Sequence, residues 1–350
     1  MLHFIRTLLL FSICSTLLPA QTPAPSAPAS DAQAPKTVGS DPEFTEARRL
    51  SQQGKYDEAI SQLQAMTTRT PKPAGLSHEL GAAYYKKGDY LKAAEFLKQA
   101  VAEDPNDKEA VQLLGLSYYV SGRPAEAIPY LEKVQTWYPR ANVDAAYVLG
   151  ICYLQSRDYP QARKAFAKMF DVPPDSGASY LLTARMLFRQ EFIPIAEEYA
   201  QKAVATDPKL PLAHQLLGEI EMFTSKIPEA IKAFEQELAI NPANPVTYYK
   251  LADAYSRVQK YEEAERMLQR SIWLDATATG PYVLLGKVLQ KKGEPILAVA
   301  YLQRAAAMDP NNPMTHQLLG QAYRDVGKTE DAERELKTAE QLRNKQTDFQ

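Results

Sequence analysis

One small residue at one spacing constrains this chain more than anything else in it. Alanine recurs every 34 residues, nine times, at Ala59, Ala93, Ala127, Ala162, Ala196, Ala230, Ala264, Ala298 and Ala332, the step widening by one only across Asn142. The unit it marks is clearest over 108–141, KEAVQLLGLSYYVSGRPAEAIPYLEKVQTWYPRA: two helical patterns joined by a Gly-containing turn and closed by Pro139. Nine copies follow in register: 40–73, 74–107, 108–141, 143–176, 177–210, 211–244, 245–278, 279–312 and 313–346. The recurrent alanine is position 20 of each copy; position 8 is always Gly or Ala, and position 32 is proline in seven, failing at Ala276 and Asn344. A fixed period of this length predicts stacked helical pairs, because one pair cannot bury its own apolar face and needs its neighbours to do so.

The local rules agree with that period. The first helix of each copy carries its apolar residues at positions 4, 7, 8 and 11, one face of a helix. Small residues at positions 8 and 20 let the two helices approach closely. Gly54, Gly88, Gly122, Gly293 and Gly327 share position 15, where a left-handed residue is expected to end the first helix. Pro124, Pro295, Pro160, Pro194 and Pro228 fall in the first turn of the second helix, where no amide donor is missed. Pro129 lies deeper, and is expected to bend its helix slightly or remove a hydrogen bond. The end copies are more polar, with Glu46 at an apolar position and a charged final helix, as the ends of a finite array require.

The period and its anchors resemble the tetratricopeptide repeat over residues 40–346. That family's pattern has large–small at positions 7 and 8, Tyr at 11 (here Tyr84, Tyr118, Tyr153, Tyr255 and Tyr323), Ala at 20, an aromatic or Leu at 24 (Phe166, Phe234, otherwise mostly Leu), Ala at 27 and Pro at 32. The resemblance implies an all-α, right-handed superhelical solenoid of about nine helix-turn-helix repeats that binds other proteins without catalysis. It does not name the partner, since the family is a scaffold.

Ahead of the array, residues 1–20 (MLHFIRTLLLFSICSTLLPA) read as a secretory signal peptide with cleavage after Ala20. The apolar run from Leu8 to Leu18 is short for a spanning helix, so a retained signal anchor is the alternative. Residues 21–39 are Pro, Ala and Ser with little to bury, a spacer. The expected location is periplasmic or secreted, with no integral span after cleavage. Among exported family members the resemblance implies work in envelope assembly, pilus or polysaccharide-export machinery.

Residues with chemistry are few. A net charge of −2 gives no basic face for nucleic acid, so no nucleic-acid partner is expected. Of the two cysteines, Cys14 lies in the leader and Cys152 reads as a small buried apolar residue. His214 and His316 occupy position 4, which Tyr180, Tyr248 and Tyr282 fill elsewhere, and so read as packing residues. His78-Glu79 lacks the second histidine of a zinc-protease motif, and no phosphate-cradling or nucleophile-elbow motif occurs. The reading is a non-enzyme with no cofactor and no metal.

A binding row is the better candidate. Positions 2, 5, 9 and 12 lie about a third of a turn from the packed face; in the resembled family this row, with position 13, lines the concave groove that holds partner segments. Here it gives Tyr85, Leu116, Tyr119, Val120, Tyr147, Ile151, Leu154, Leu181, Met222, Phe223, Phe188 and Tyr249, with Arg185, Arg189 and Glu219 among them. Towards the C-terminus it turns polar: Asp253, Arg257, Lys287, Lys291 and Arg324. Such a row marks an interaction site for a protein or peptide segment, unless lateral packing against the next repeat covers it. Homo-oligomerisation through the row or the ends, and carbohydrate or small-ligand binding through the tyrosines, are the other readings. Family members that capture a chaperone's C-terminal carboxylate use Lys at position 5 and Asn at position 9; here the pairs are His78 with Ala82, Gln112 with Leu116, and Tyr147 with Ile151. That clamp is absent.

Overall fold

Each 34-residue window folds as two antiparallel helices because its small residues let them touch. The computed structural model describes residues 42–138 and 143–347. The leader over 1–20, the spacer over 21–39, Pro139 and Asn142 lie outside the described residues. The described residues are helical, with no strand. After a short 3-10 turn at Pro42–Phe44 come nine pairs: α1 (Thr45–Gln52) with α2 (Tyr56–Met66), α3 (Leu76–Lys87) with α4 (Tyr90–Glu103), α5 (Lys108–Val120) with α6 (Pro124–Trp137), α7 (Val143–Gln155) with α8 (Tyr159–Met169), and α9 (Gly177–Arg189) with α10 (Ile193–Thr206). The series continues with α11 (Ala213–Phe223) and α12 (Ile227–Ile240), α13 (Pro245–Arg257) and α14 (Tyr261–Leu274), α15 (Thr279–Lys292) and α16 (Pro295–Met308), and α17 (Pro313–Asp325) and α18 (Thr329–Thr347). Every helix packs on the next along the chain, and first helices of successive pairs also touch: α1 with α3, α3 with α5, α5 with α7, α9 with α11, α11 with α13, α13 with α15 and α15 with α17. That pattern is a stacked solenoid.

The pairing surface is built at positions 8, 20 and 24. All nine recurrent alanines are at most 1 % exposed. A methyl added at Gly286 would stand 2.4 Å from Leu302 Cγ, and one at Gly150 would stand 2.4 Å from the Phe166 ring. The glycine is therefore the slot that receives the large residue sixteen positions on. Where position 8 is Ala184 the facing residue shrinks to Ala200, both fully buried.

Side-chain capping recurs at four of the repeat junctions. Asp107, Ser176, Asn244 and Asn312, the last residues of their repeats, each accept a backbone N–H of the following first helix. Position 15 is left-handed throughout, not only where glycine occupies it: Arg157, Glu191, Ser225 and Gln259 adopt φ of 59–63°. The five prolines expected at second-helix starts sit in the first turns of α6, α8, α10, α12 and α16, and α6 runs on through Pro129.

Successive repeats are joined by polar bonds at fixed registers. The position-11 tyrosine hydroxyl meets the residue twenty before it, on the previous second helix: Gln64 donates to Tyr84 at 2.9 Å, Tyr255 donates to Glu235 at 2.6 Å and Gln303 donates to Tyr323 at 2.6 Å; across the extra Asn142 the step becomes 21, with Tyr153 donating to Glu132. Position 4 bonds a carbonyl six residues back: His214 Nε2 to Pro208 O at 3.2 Å, His316 Nε2 to Pro310 O at 2.9 Å, and the Tyr282 hydroxyl to Ala276 O at 3.3 Å. Histidine and tyrosine are interchangeable here because both place a donor at the same distance from the backbone. His214 and His316 are structural.

The apolar core is continuous from Phe44 to Ile220 and resumes in separate clusters after it. The repeat at 211–244 is the cause, because it buries polar groups where others have apolar ones. Glu237 replaces the usual small residue at position 27; fully buried, its carboxylate accepts the amides of Leu212 at 2.8 Å and Gln215 at 3.3 Å, capping α11 from the paired helix. Glu221 stands where five repeats have tyrosine, and its Oε2 is buried without a hydrogen-bond partner. Burial, then the nearby Glu197 and Glu229 carboxylates, push the Glu221 carboxyl up to about 7, with Lys226 opposing.

Candidate functional site

The first helices carry the candidate row, and one cavity shows which register of those helices is open. It measures about 360 Å³ and lies across three consecutive first helices. Phe188 enters from α9, Glu219, Met222 and Phe223 from α11, and Lys250, Asp253 and Arg257 from α13. These are positions 6, 9, 12 and 13 of their repeats. The spacing places them along one helical stripe, so the same positions on the other first helices face the same way.

The apolar floor of the cavity is aromatic. The Phe188 and Phe223 rings meet edge to face, 5.8 Å between centroids at 88°. Phe223 is nonetheless 65 % exposed, the cost of leaving a large ring in water uncompensated by folding. The polar rim is internally paired: Lys250 lies 3.8 Å from Glu219, Gln215 donates to Glu219 at 3.0 Å, and Arg257 lies 3.0 Å from Asp253. The floor can take an apolar side chain and the rim can orient backbone or charged groups beside it.

The expected row divides once side chains are placed. Val120, Arg189 and Phe223 are exposed, while Tyr85, Leu116, Tyr119, Tyr147, Arg185, Phe188, Met222 and Tyr249 are half-buried and keep one edge open. Ile151, Leu154 and Leu181 are buried in the core and offer no surface to a partner. They are packing residues of the continuous apolar core, Ile151 and Leu154 from the repeat at 143–176 and Leu181 from the one after it. Tyr147 contacts the Phe166 ring at 6.4 Å between centroids, and Tyr249 lies against Gly280 of the next repeat, so each also serves the inter-repeat contact. Lys287, Lys291 and Arg324 stand exposed on α15 and α17 in the cavity's register.

Two lining residues escape the row as read from the sequence, Lys250 at position 6 and Ser225 at position 15. The signal for Lys250 was its spacing, three residues before Asp253 and seven before Arg257, one helical stripe.

Other chemistry is accounted for by packing. Cys152 is fully buried, and burial pushes its thiol up to about 12, away from the range of a nucleophile. His78 bonds Asp107 at 2.5 Å. Burial opposes the charge on His78, but the Asp107 hydrogen bond and charge outweigh it and raise the imidazole. Burial likewise works against the Asp107 carboxylate, yet its bonds to His78 and the Ala110 amide hold it below the usual range. Among the described residues no cluster of three or more His, Cys, Asp or Glu could hold a metal ion, and no helix is long and apolar enough to cross a membrane.

Comparison with known proteins places this geometry. Two tetratricopeptide repeat family models match, one over residues 44–108 and 181–245, the other over 120–186, 224–272 and 289–350. A TPR repeat-containing protein of Methanocaldococcus jannaschii is 28 % identical over 131 residues, which is 37 % of this chain and 23 % of that protein. The chain thus spans less than a quarter of the length of that curated relative. Among solved structures, MamA is 22 % identical with a TM-score of 0.45, covering 47 % of this chain and 96 % of that one. Cut9 with Hcn1, from the APC/C hetero-tetramer, is 21 % identical with a TM-score of 0.44, covering 81 % and 56 %. YrrB, a TPR protein with an unusual peptide-binding site, is 21 % identical with a TM-score of 0.46, covering 51 % and 93 %. With its family models covering more than half of the sequence and its nine helix pairs in register, the chain belongs to the tetratricopeptide repeat family.

Proposed function

We propose that this protein is a non-catalytic scaffold that receives a segment of another protein along the open stripe of its first helices. The observation that carries the reading is the cavity floored by Phe188, Met222 and Phe223, with a ring 65 % exposed at its mouth. A folding chain gains nothing from an aromatic ring left in water, whereas a partner side chain buried against it gains about 2 kcal/mol. The half-buried Tyr85, Leu116 and Tyr119 extend the apolar stripe towards the N-terminus.

The test is affinity capture from cell extract with the full chain and with a Phe188→Glu, Phe223→Glu variant, after circular dichroism shows equal helicity. A protein held by the parent and lost by the variant places binding on the stripe. The same protein held equally by both would show that the stripe is not the site. The reading includes export, carried by the leader pattern of residues 1–20. Expression of the full chain in a bacterial host should yield a periplasmic product beginning at Gln21; a cytoplasmic product retaining Met1 would refute export.

A further inference from the structure

The charge on the stripe is distributed in a way that folding does not explain. At positions 9 and 13 of α13 stand Asp253 and Arg257, a self-neutralising pair at 3.0 Å. In the same two positions α9 carries Arg185 and Arg189, and α15 carries Lys287 and Lys291. Like charges four apart on one helix face destabilise it by about 0.2–0.5 kcal/mol per pair. The favourable field of a helix C-terminus accounts for cations at position 13, but not for Arg185 and Lys287 a turn earlier. Arg324 adds a further exposed cation on α17.

None of these five cations lies within ion-pair distance of a carboxylate among the described residues. Some cations elsewhere are neutralised, Lys226 by Glu197 at 2.5 Å and Lys292 by Glu265 at 2.5 Å, and others are not; what marks the stripe is that two like-charged pairs repeat in one register beside the cavity. On this stripe the carboxylates Glu219 and Asp253 are already engaged by Lys250 and Arg257, and Asp325, at position 13 of α17, accepts from Gln290 at 3.2 Å. The unpaired cations flank the aromatic cavity, Arg185 and Arg189 on the helix that supplies Phe188, the other three on the two helices beyond α13.

We propose that the segment received here carries an aromatic or long aliphatic anchor with Asp or Glu side chains on both sides. This rests on the stripe being the binding site. The anchor fills the cavity over Phe188, Met222 and Phe223, and the acidic side chains neutralise the two like-charged pairs. Charge complementarity of this kind sets register and speeds encounter more than it adds affinity. Recognition is of acidic side chains along the segment and does not require a chain end.

The test is selection of random peptides of about twelve residues, enough to span several first helices when extended, displayed on phage against the immobilised full chain. It runs in parallel on a Lys287→Gln, Lys291→Gln, Arg324→Gln variant, on an Arg185→Gln, Arg189→Gln variant and on Phe223→Glu. The parent should select peptides with a Phe, Trp, Leu or Met flanked by Asp or Glu. The glutamine variants should keep the anchor and lose the acid enrichment on one side each. A synthetic peptide from the parent selection should bind each glutamine variant about tenfold more weakly at low salt, with the difference shrinking as salt is raised. Peptides that share an apolar anchor, are lost with Phe223→Glu and show no acidic bias would overturn the charge inference while leaving the stripe as the site. Selection unaffected by Phe223→Glu, or no selection at all, would remove the stripe as a peptide site, and this inference with it.

Discussion

Position 15 shows how a single residue position can be required by geometry without being fixed in identity. It ends every first helix in the left-handed region, yet only five of nine repeats place glycine there. A non-glycine residue at such a φ is strained by about 1 kcal/mol. Gln259→Gly is therefore expected to raise stability by about 0.5–1 kcal/mol, and Gly293→Ala to lower it by a similar amount. Urea denaturation of both reads the opposite signs, and a loss in Gln259→Gly would show that its side chain contributes more than its backbone costs. Position 8 is confined to Gly or Ala for a different reason. A methyl at Gly286 would overlap Leu302 Cγ, so Gly286→Ala should destabilise by about 1–3 kcal/mol. Adding Leu302→Ala should recover part of that loss, a coupling measurable in a double-mutant cycle; simple additivity would show that the helices spread instead.

At the scale of the element, α11 stands apart from the other first helices. It is capped by a buried glutamate from its partner helix and carries a second, unpartnered one at Glu221. The Glu221 carboxyl is raised, so between the ordinary carboxylate value of 4.5 and about 7 the folded state holds a proton that the unfolded state has released. Stability must then fall as pH rises through that window, the reverse of the usual carboxylate. Glu221→Gln keeps the shape and removes the charge; it should stabilise the protein by on the order of 2 kcal/mol near pH 8 and hardly at all near pH 4. Melting curves of parent and variant across that range check the sign. A variant that helps equally at both ends would mean the carboxylate finds a partner or water.

For the array as a whole, stability is a sum of repeat terms and nearest-neighbour contacts. The apolar core runs unbroken from Phe44 to Ile220 and is then interrupted by the buried acids and histidine of the repeat at 211–244. Native-state hydrogen exchange should therefore find the amides of α11 and α12 opening at lower free energy than those of α5 and α6, by about 1–3 kcal/mol. Equal protection in both pairs would show that the Glu237 cap offsets the polar burial. The open stripe crosses this same repeat, so Glu219, Met222 and Phe223 are mounted on a helix that buries a histidine and a glutamate.

The period, the close approach at positions 8 and 20 and the turn chemistry were all legible in the sequence, because each is set by contacts within one repeat and is written nine times over. His214 and His316 could be assigned to packing for the same reason, since tyrosine at the equivalent positions already said what the site requires. The stripe was only half legible. Helical spacing places Ile151, Leu154, Phe188 and Met222 alike on one row, but whether a row position is open or covered depends on how the neighbouring helices pack around it. That is a property of two repeats together, and it buries Ile151 and Leu154 while leaving Phe223 in water. Likewise no spacing within one repeat shows that Glu237 reaches the N-terminus of α11, or that Arg185 and Lys287 lack the partners that Lys226 and Lys292 find. Local pattern determined the element and its pairing; the distance between neighbouring elements decided which side chains are left for a partner.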